Sequence, residues 1–127
     1  MSLRRLFIIN AVATFAAGVV LFLWPELIPG AVGIHLQPSA YFLCYLLGAS
    51  ELAMAALCFF GMTLREPAAL QAVVVTFIVF HAASGLAGAV AVAQGAPNAV
   101  WWNVALRGLM VLLFVRYGLL RRRLSQA

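Results

Sequence analysis

Four long apolar runs, separated by short breaks rich in proline and glycine, set the pattern of this chain. The first extends from Leu6 to Trp24, behind Arg4 and Arg5. The stretch 25–40 then carries three prolines, two glycines, Glu26 and His35, and its Pro-Glu-Leu-Ile-Pro-Gly segment stops a helix and sets a turn. A second run covers 41–62 and ends in the break Thr63-Leu64-Arg65-Glu66-Pro67. Pro67 suits the first turn of a third helix, over 68–93. Gly95-Ala96-Pro97-Asn98 makes another tight turn, and a fourth helix runs over 99–120. Each run reaches the ~20 residues needed to cross ~30 Å of hydrocarbon. The pattern predicts an all-α fold: one transmembrane four-helix bundle over residues 1–127, with no soluble domain or internal repeat. A signal peptide opens similarly, but its apolar core is only about 7–15 residues long. The first run is longer and reads as a retained helix.

Composition excludes the soluble alternatives. Hydrophobic residues make up 66% of the chain and charged ones 9%, against roughly 45–50% and about 25% in soluble domains. A globule of this size buries only about two-thirds of its surface, too little to hide so much apolar area. Lipid is therefore the expected solvent, and membrane lipids the expected surroundings.

Charge adds the orientation. The net charge of +5 comes with eight basic residues, all arginine. Seven flank the apolar runs: Arg4, Arg5, Arg65, Arg116, Arg121, Arg122 and Arg123. They mark the N-terminus, second loop and C-terminal tail as cytoplasmic by the positive-inside rule. Trp24, Tyr41, Trp101 and Trp102 fall at the opposite interface, where aromatic belts sit. The run 121–123 reads as an anchor for anionic headgroups. No basic and aromatic face that would track phosphates is present, so nucleic acid is not an expected partner. The alanine-rich, arginine-only composition points to a bacterial inner (cytoplasmic) membrane, crossed several times.

The informative residues are those a bilayer resists. An ionised group at a helix centre costs about 2.5–3.5 kcal/mol on insertion scales, yet Glu51, His81 and Arg107 all fall inside the runs. At ~1.5 Å per residue from the non-cytoplasmic end, Glu51 lies about 15 Å deep, Arg107 about 12 Å and His81 about 18 Å. Three residues from three helices are thus expected at one level. Helical spacing gives each a stripe: Cys44, Gly48, Glu51, Ala55, Cys58; then Phe77, His81, Ser84, Gly88; then Asn103, Arg107, Met110, Phe114. Asn10, Thr14 and Ala17 share a face of the first helix, with Asn10 nearer the cytoplasm.

A carboxylate held between desolvation and a nearby cation can exchange a proton near neutral pH, as general acid–base catalysis requires. Glu51 and His81 are the expected acid–base pair, with Arg107 polarising or anchoring a substrate group. Asn103, Ser84, Asn10 and Trp102 are the candidate substrate contacts. The same residues also suit a purely structural cluster, and Ser84 with Gly88 has the small-xxx-small spacing of close helix contacts. Cys44 and Cys58, about 21 Å apart along one helix, cannot bond to each other and read as packing residues. His35 reads as a surface residue. No Gly-rich phosphate loop, His-Glu-x-x-His or Gly-x-Ser-x-Gly occurs. With no aspartate and three glutamates, a carboxylate metal site is not expected, nor any other cofactor.

From Leu6 to Leu120 the chain resembles the small four-helix bacterial membrane proteins of the DoxX-like group. The shared features are Arg-Arg-Leu-Phe-Ile-Ile-Asn opening helix one, a proline turn at Pro25, Leu47-Gly48 and Trp102-Asn103. The resemblance implies a four-helix fold and supplies no activity. The length is also similar to that of small multidrug transporters, which place their membrane glutamate on helix one, whereas Glu51 is on helix two.

Three functions follow as expectations. The first is a membrane-embedded, cofactor-independent enzyme acting by proton transfer on a lipophilic small molecule, as an isomerase, cyclase or epoxide-opening enzyme. The second is a proton-coupled transporter acting as a homo-oligomer. The third is a non-catalytic subunit of a membrane complex.

Overall fold

The computed structural model describes residues 1–120, and the arginine run 121–123 lies outside the described residues. It is built from helices α1 (Leu3–Leu23), α2 (Leu27–Ala31), α3 (Tyr41–Gly61), α4 (Pro67–Ala93) and α5 (Trp101–Phe114). Short 3₁₀ turns lead into α3 and α5, and α5 widens into a π-helix over Val115–Leu120. Four spans are long and apolar enough to cross a membrane: Leu3–Leu23, Pro38–Gly61, Pro67–Ala93 and Asn98–Leu120. No strand occurs among the described residues.

Two details depart from the expected boundaries. Helix α1 begins at Leu3 because the Ser2 hydroxyl caps it, accepting the Arg5 N–H at 3.3 Å. Arg4 and Arg5 are therefore helical rather than ahead of the helix. The first loop also contains the five-residue α2, which the two prolines of that loop hide from a periodicity reading. Pro67 does stand at the first position of α4, where a missing N–H costs nothing. Glu66 caps that helix by accepting from the N–H groups of Ala68 and Ala69.

The helices pack as two pairs, α1 on α3 and α4 on α5, with thinner contact between the pairs. Small residues allow the close approach within each pair. A Cβ placed on Gly18 would stand 2.7 Å from Leu52 Cγ and 3.0 Å from the Gly48 carbonyl oxygen. In the other pair, a Cβ on Gly88 would meet Val104 Cγ2 at 2.9 Å.

An aromatic core joins the pairs towards the end of the bundle that carries the N-terminus. Phe77 and Phe114 stack with centroids 5.0 Å apart, and Phe7 tilts against both. All three are buried, together with Leu6, Val74 and Cys58. The outer faces are the reverse of a soluble protein's. Val12, Phe15, Phe42, Leu43, Phe59, Phe60, Leu86 and Leu112 are all exposed. Such surface is stable only against an apolar solvent or another apolar surface.

Candidate functional site

Glu51, His81 and Arg107 meet in the middle of the bundle, and Arg107 stands between the other two. Its Nη2 donates to Glu51 Oε1 at 2.5 Å, and its Nη1 reaches His81 Nδ1 at 3.2 Å. A guanidinium has only donors, so His81 Nδ1 accepts and the ring hydrogen sits on Nε2. Nε2–H then donates to Asn10 Oδ1 at 3.1 Å, and Asn10 Nδ2 donates to Cys58 Sγ at 3.2 Å. The result is one directed chain of hydrogen bonds, Arg107 to His81 to Asn10 to Cys58, with Glu51 branching from its head.

Each link has a local reason. Arg107 is placed by Gly85 of α4, where a Cβ would stand 3.4 Å from Arg107 Cβ. Its guanidinium also lies over the Phe80 ring, 5.2 Å from the centroid. His81 is held flat by Phe114, with rings at 19° and centroids 6.0 Å apart. Thr14 satisfies its own hydroxyl by donating to the Asn10 carbonyl at 2.8 Å, one turn back on α1. No buried side-chain nitrogen or oxygen among the described residues lacks a partner.

The network is also the seam between the two helix pairs. Glu51–Arg107 ties α3 to α5, and Asn10–His81 ties α1 to α4.

A cavity of about 270 Å³ lies against this seam. Its polar wall is Asn10, Thr14, Glu51, His81, Asn103 and Arg107, and the remainder is alkyl, including Leu21, Leu47, Leu106 and Met110. Ile28 of α2 lies over its loop end. Glu51 and His81 are almost fully buried, whereas the Arg107 side chain is 15% exposed. At its loop end the bundle has one further polar tie, from the Tyr41 hydroxyl to Glu26.

The residues expected at the site come together unevenly. Glu51, His81 and Arg107 do come together, but Arg107 separates the two expected to act as an acid–base pair. Asn10 reaches the cluster directly, although helix position alone set it nearer the chain's N-terminal end. Asn103 lines the cavity while remaining largely exposed. Ser84 is half-buried and outside the cavity lining, because Gly85 takes the inward position on α4. Trp102 is 81% exposed and does not line the cavity. Cys58, read as a packing residue, is both packed in the core and the terminal acceptor of the network. His35 is exposed, as expected of a loop residue.

A scan of protein-family models, a search of curated proteins and a search of solved structures each gave no match to this chain.

Proposed function

We propose that this protein crosses the bacterial inner membrane four times and acts there as a cofactor-independent, isomerase-type enzyme, moving a proton within a small lipophilic molecule. The observation that carries this reading is an ion pair, Glu51–Arg107, lining an otherwise largely apolar cavity inside the bundle. Ionisable residues at such depth are costly, face cavities and mark functional paths. The membrane assignment rests on the four apolar spans and the exposed apolar outer faces. Exposed Arg4, Arg5, Arg65 and Arg116 gather at one end, which the positive-inside rule makes cytoplasmic.

In this mechanism Glu51 is the base. Its Oε1 holds Arg107, and its other oxygen removes a proton from a C–H beside an oxygen-bearing group of the substrate. The C–H electron pair moves towards the substrate oxygen, where Arg107 N–H groups stabilise the developing charge. Glu51 then returns the proton to the far carbon of an adjoining C=C bond while the oxygen's electron pair re-forms the C=O bond. The double bond shifts, and atoms and electrons balance without a co-reactant. Cyclisation by epoxide opening uses the same two groups. A substrate hydroxyl loses its proton to Glu51 as its oxygen bonds to an epoxide carbon of the same molecule. The C–O bond there breaks, and the freed oxygen, held by Arg107, takes that proton. His81 has both ring nitrogens engaged, so it is a positioning residue that orients Arg107 rather than a second acid.

The test begins with the molecules that co-purify with the protein in mild detergent. Each is identified by mass spectrometry and offered to wild type and Glu51→Gln. Wild-type turnover and a loss of at least a hundredfold in the variant, with binding retained, is the expected result. Full turnover by Glu51→Gln removes the mechanism. Proton movement in liposomes without chemical change would move the assignment to transport.

One observation favours a second reading, a non-catalytic subunit. Every described buried polar side-chain atom is satisfied, and the network joins the two helix pairs. A purely structural lock tolerates joint replacement of Glu51 and Arg107 by apolar residues, since such pairs often exchange without loss of stability. Retained cellular function in that double variant would decide for the lock.

A further inference from the structure

We infer that the cavity selects electrically neutral, oxygen-bearing lipophiles of roughly ten non-hydrogen atoms, and that they enter sideways between α1 and α5. The inference deepens the proposed function, since it names the substrate class of the same cavity.

Neutrality follows from the wall. Glu51 and Arg107 cancel each other at 2.5 Å, and His81 accepts from Arg107, which requires an unprotonated Nδ1. The other polar wall residues, Asn10, Thr14 and Asn103, carry no charge. A carboxylate or phosphate entering this wall would bring an unbalanced charge into an apolar interior. A ketone, epoxide or alcohol brings only an acceptor oxygen, which the partly exposed Arg107 and the Asn103 amide can meet. Size follows from the volume: about 270 Å³ holds roughly nine or ten groups at the ~30 Å³ a water-sized unit occupies in a liquid.

The entrance follows from the rim. Helices α1 and α5 barely touch, and the residues that line the cavity along this gap, Ile9, Ala13 and Leu106, are exposed on the outer face. The rim is mostly apolar, with the Asn103 amide towards its loop end. At the loop end, Ile28 lies over the cavity, and the Tyr41–Glu26 hydrogen bond ties its loop to α3. A lipophile dissolved in the bilayer thus meets an apolar edge, whereas one arriving from water must pass Ile28, the Asn103 amide and the tied loop.

The test measures binding of 2-nonanone and octanoate, which have equal numbers of non-hydrogen atoms. The full-length protein is held in zwitterionic-lipid nanodiscs at about pH 8, where octanoate is ionised, with empty nanodiscs subtracted. Wild type should bind 2-nonanone at least tenfold more tightly than octanoate. Ala13→Trp, which fills the rim, should weaken 2-nonanone at least tenfold. Ala16→Trp, on an exposed α1 position facing the α3 side, should leave binding unchanged. Glu51→Gln, which leaves the Arg107 charge unbalanced, should shift preference towards octanoate. Octanoate binding as tightly as the ketone, no binding of either, or full binding by Ala13→Trp overturns the inference. Selective ketone binding with no exchange of the ketone's α-hydrogens for deuterium in D₂O supports it and counts against Glu51 as the base instead.

Discussion

Asn10 on α1 and His81 on α4 stand 71 positions apart in the chain and are joined by a 3.1 Å hydrogen bond between buried side chains. Because α1 packs chiefly on α3 and α4 chiefly on α5, this bond ties one half of the bundle to the other. It also places the ring hydrogen on Nε2, which leaves Nδ1, the other ring nitrogen, free to accept from Arg107 and so to orient it. A fold contact and a site contact are here the same contact.

Asn10→Leu should loosen that tie. The substitution strands His81 Nε2–H and removes the donor to Cys58 Sγ. Hydrogen bonds between membrane helices average about 0.6 kcal/mol and reach about 1.7. A loss near the upper end is expected, measured by unfolding in mixed detergent micelles. His81→Gln, whose amide can still donate to Asn10, should lose less stability than His81→Leu.

Breaking the ion pair from one side should cost more than removing it whole. Arg107→Leu leaves the Glu51 carboxylate without its cation, and losing one partner of a buried pair costs about 3–5 kcal/mol. The Glu51→Met, Arg107→Met double variant should unfold closer to wild type than Arg107→Leu does. The same unfolding assay reads both.

The two helix pairs are held at close range by glycine, and this predicts a contrast. Gly18→Leu drives a side chain into Leu52 and the Gly48 carbonyl, and overpacking of this kind costs typically 1–3 kcal/mol. Gly108 has nothing within 4 Å of where a Cβ would stand. Gly108→Ala should be neutral or gain up to about 1 kcal/mol from helix propensity. Thermal unfolding of the two variants side by side checks the sign of each.

Phe114 sits where the aromatic core meets the site, stacked on both Phe77 and His81. Phe114→Ala should lose about 3–5 kcal/mol as a large buried side chain, and should also lower activity by freeing the His81 ring. Phe59→Ala, on an exposed face of α3, should do neither. A joint stability and activity assay separates the two positions.

The helices were legible because the bilayer-length runs are long and their breaks carry proline and glycine. The α3 stripe was legible in full: Cys44, Gly48, Glu51, Ala55 and Cys58 are its buried residues, joined by Gly61. On α4 the stripe holds at Phe77 and His81 and then drifts, since a helix of 3.6 residues per turn places Gly85 inward where a three-residue step chose Ser84. Depth counted along each helix brought Glu51, His81 and Arg107 to one level. It could not order them, because which side chain lies between the others depends on helix rotation and on Gly85. Asn10 does lie nearer the N-terminal end of the bundle, beside Cys58, and its amide still reaches across to His81, a contact that position along the helix does not reveal. The role of Cys58 carried no sequence signal beyond its place on the stripe.

Isotope exchange tests the proposed chemistry most directly. The bound small molecule, once identified, is incubated with nanodisc-embedded protein in D₂O and recovered for mass spectrometry. If Glu51 removes and returns a proton at carbon, the recovered molecule or its isomer gains deuterium at that carbon with wild type and gains none with Glu51→Gln. Equal labelling by the variant, or product that neither gains solvent deuterium at carbon nor carries over a deuterium placed beforehand at the carbon that Glu51 deprotonates, would contradict proton transfer through Glu51.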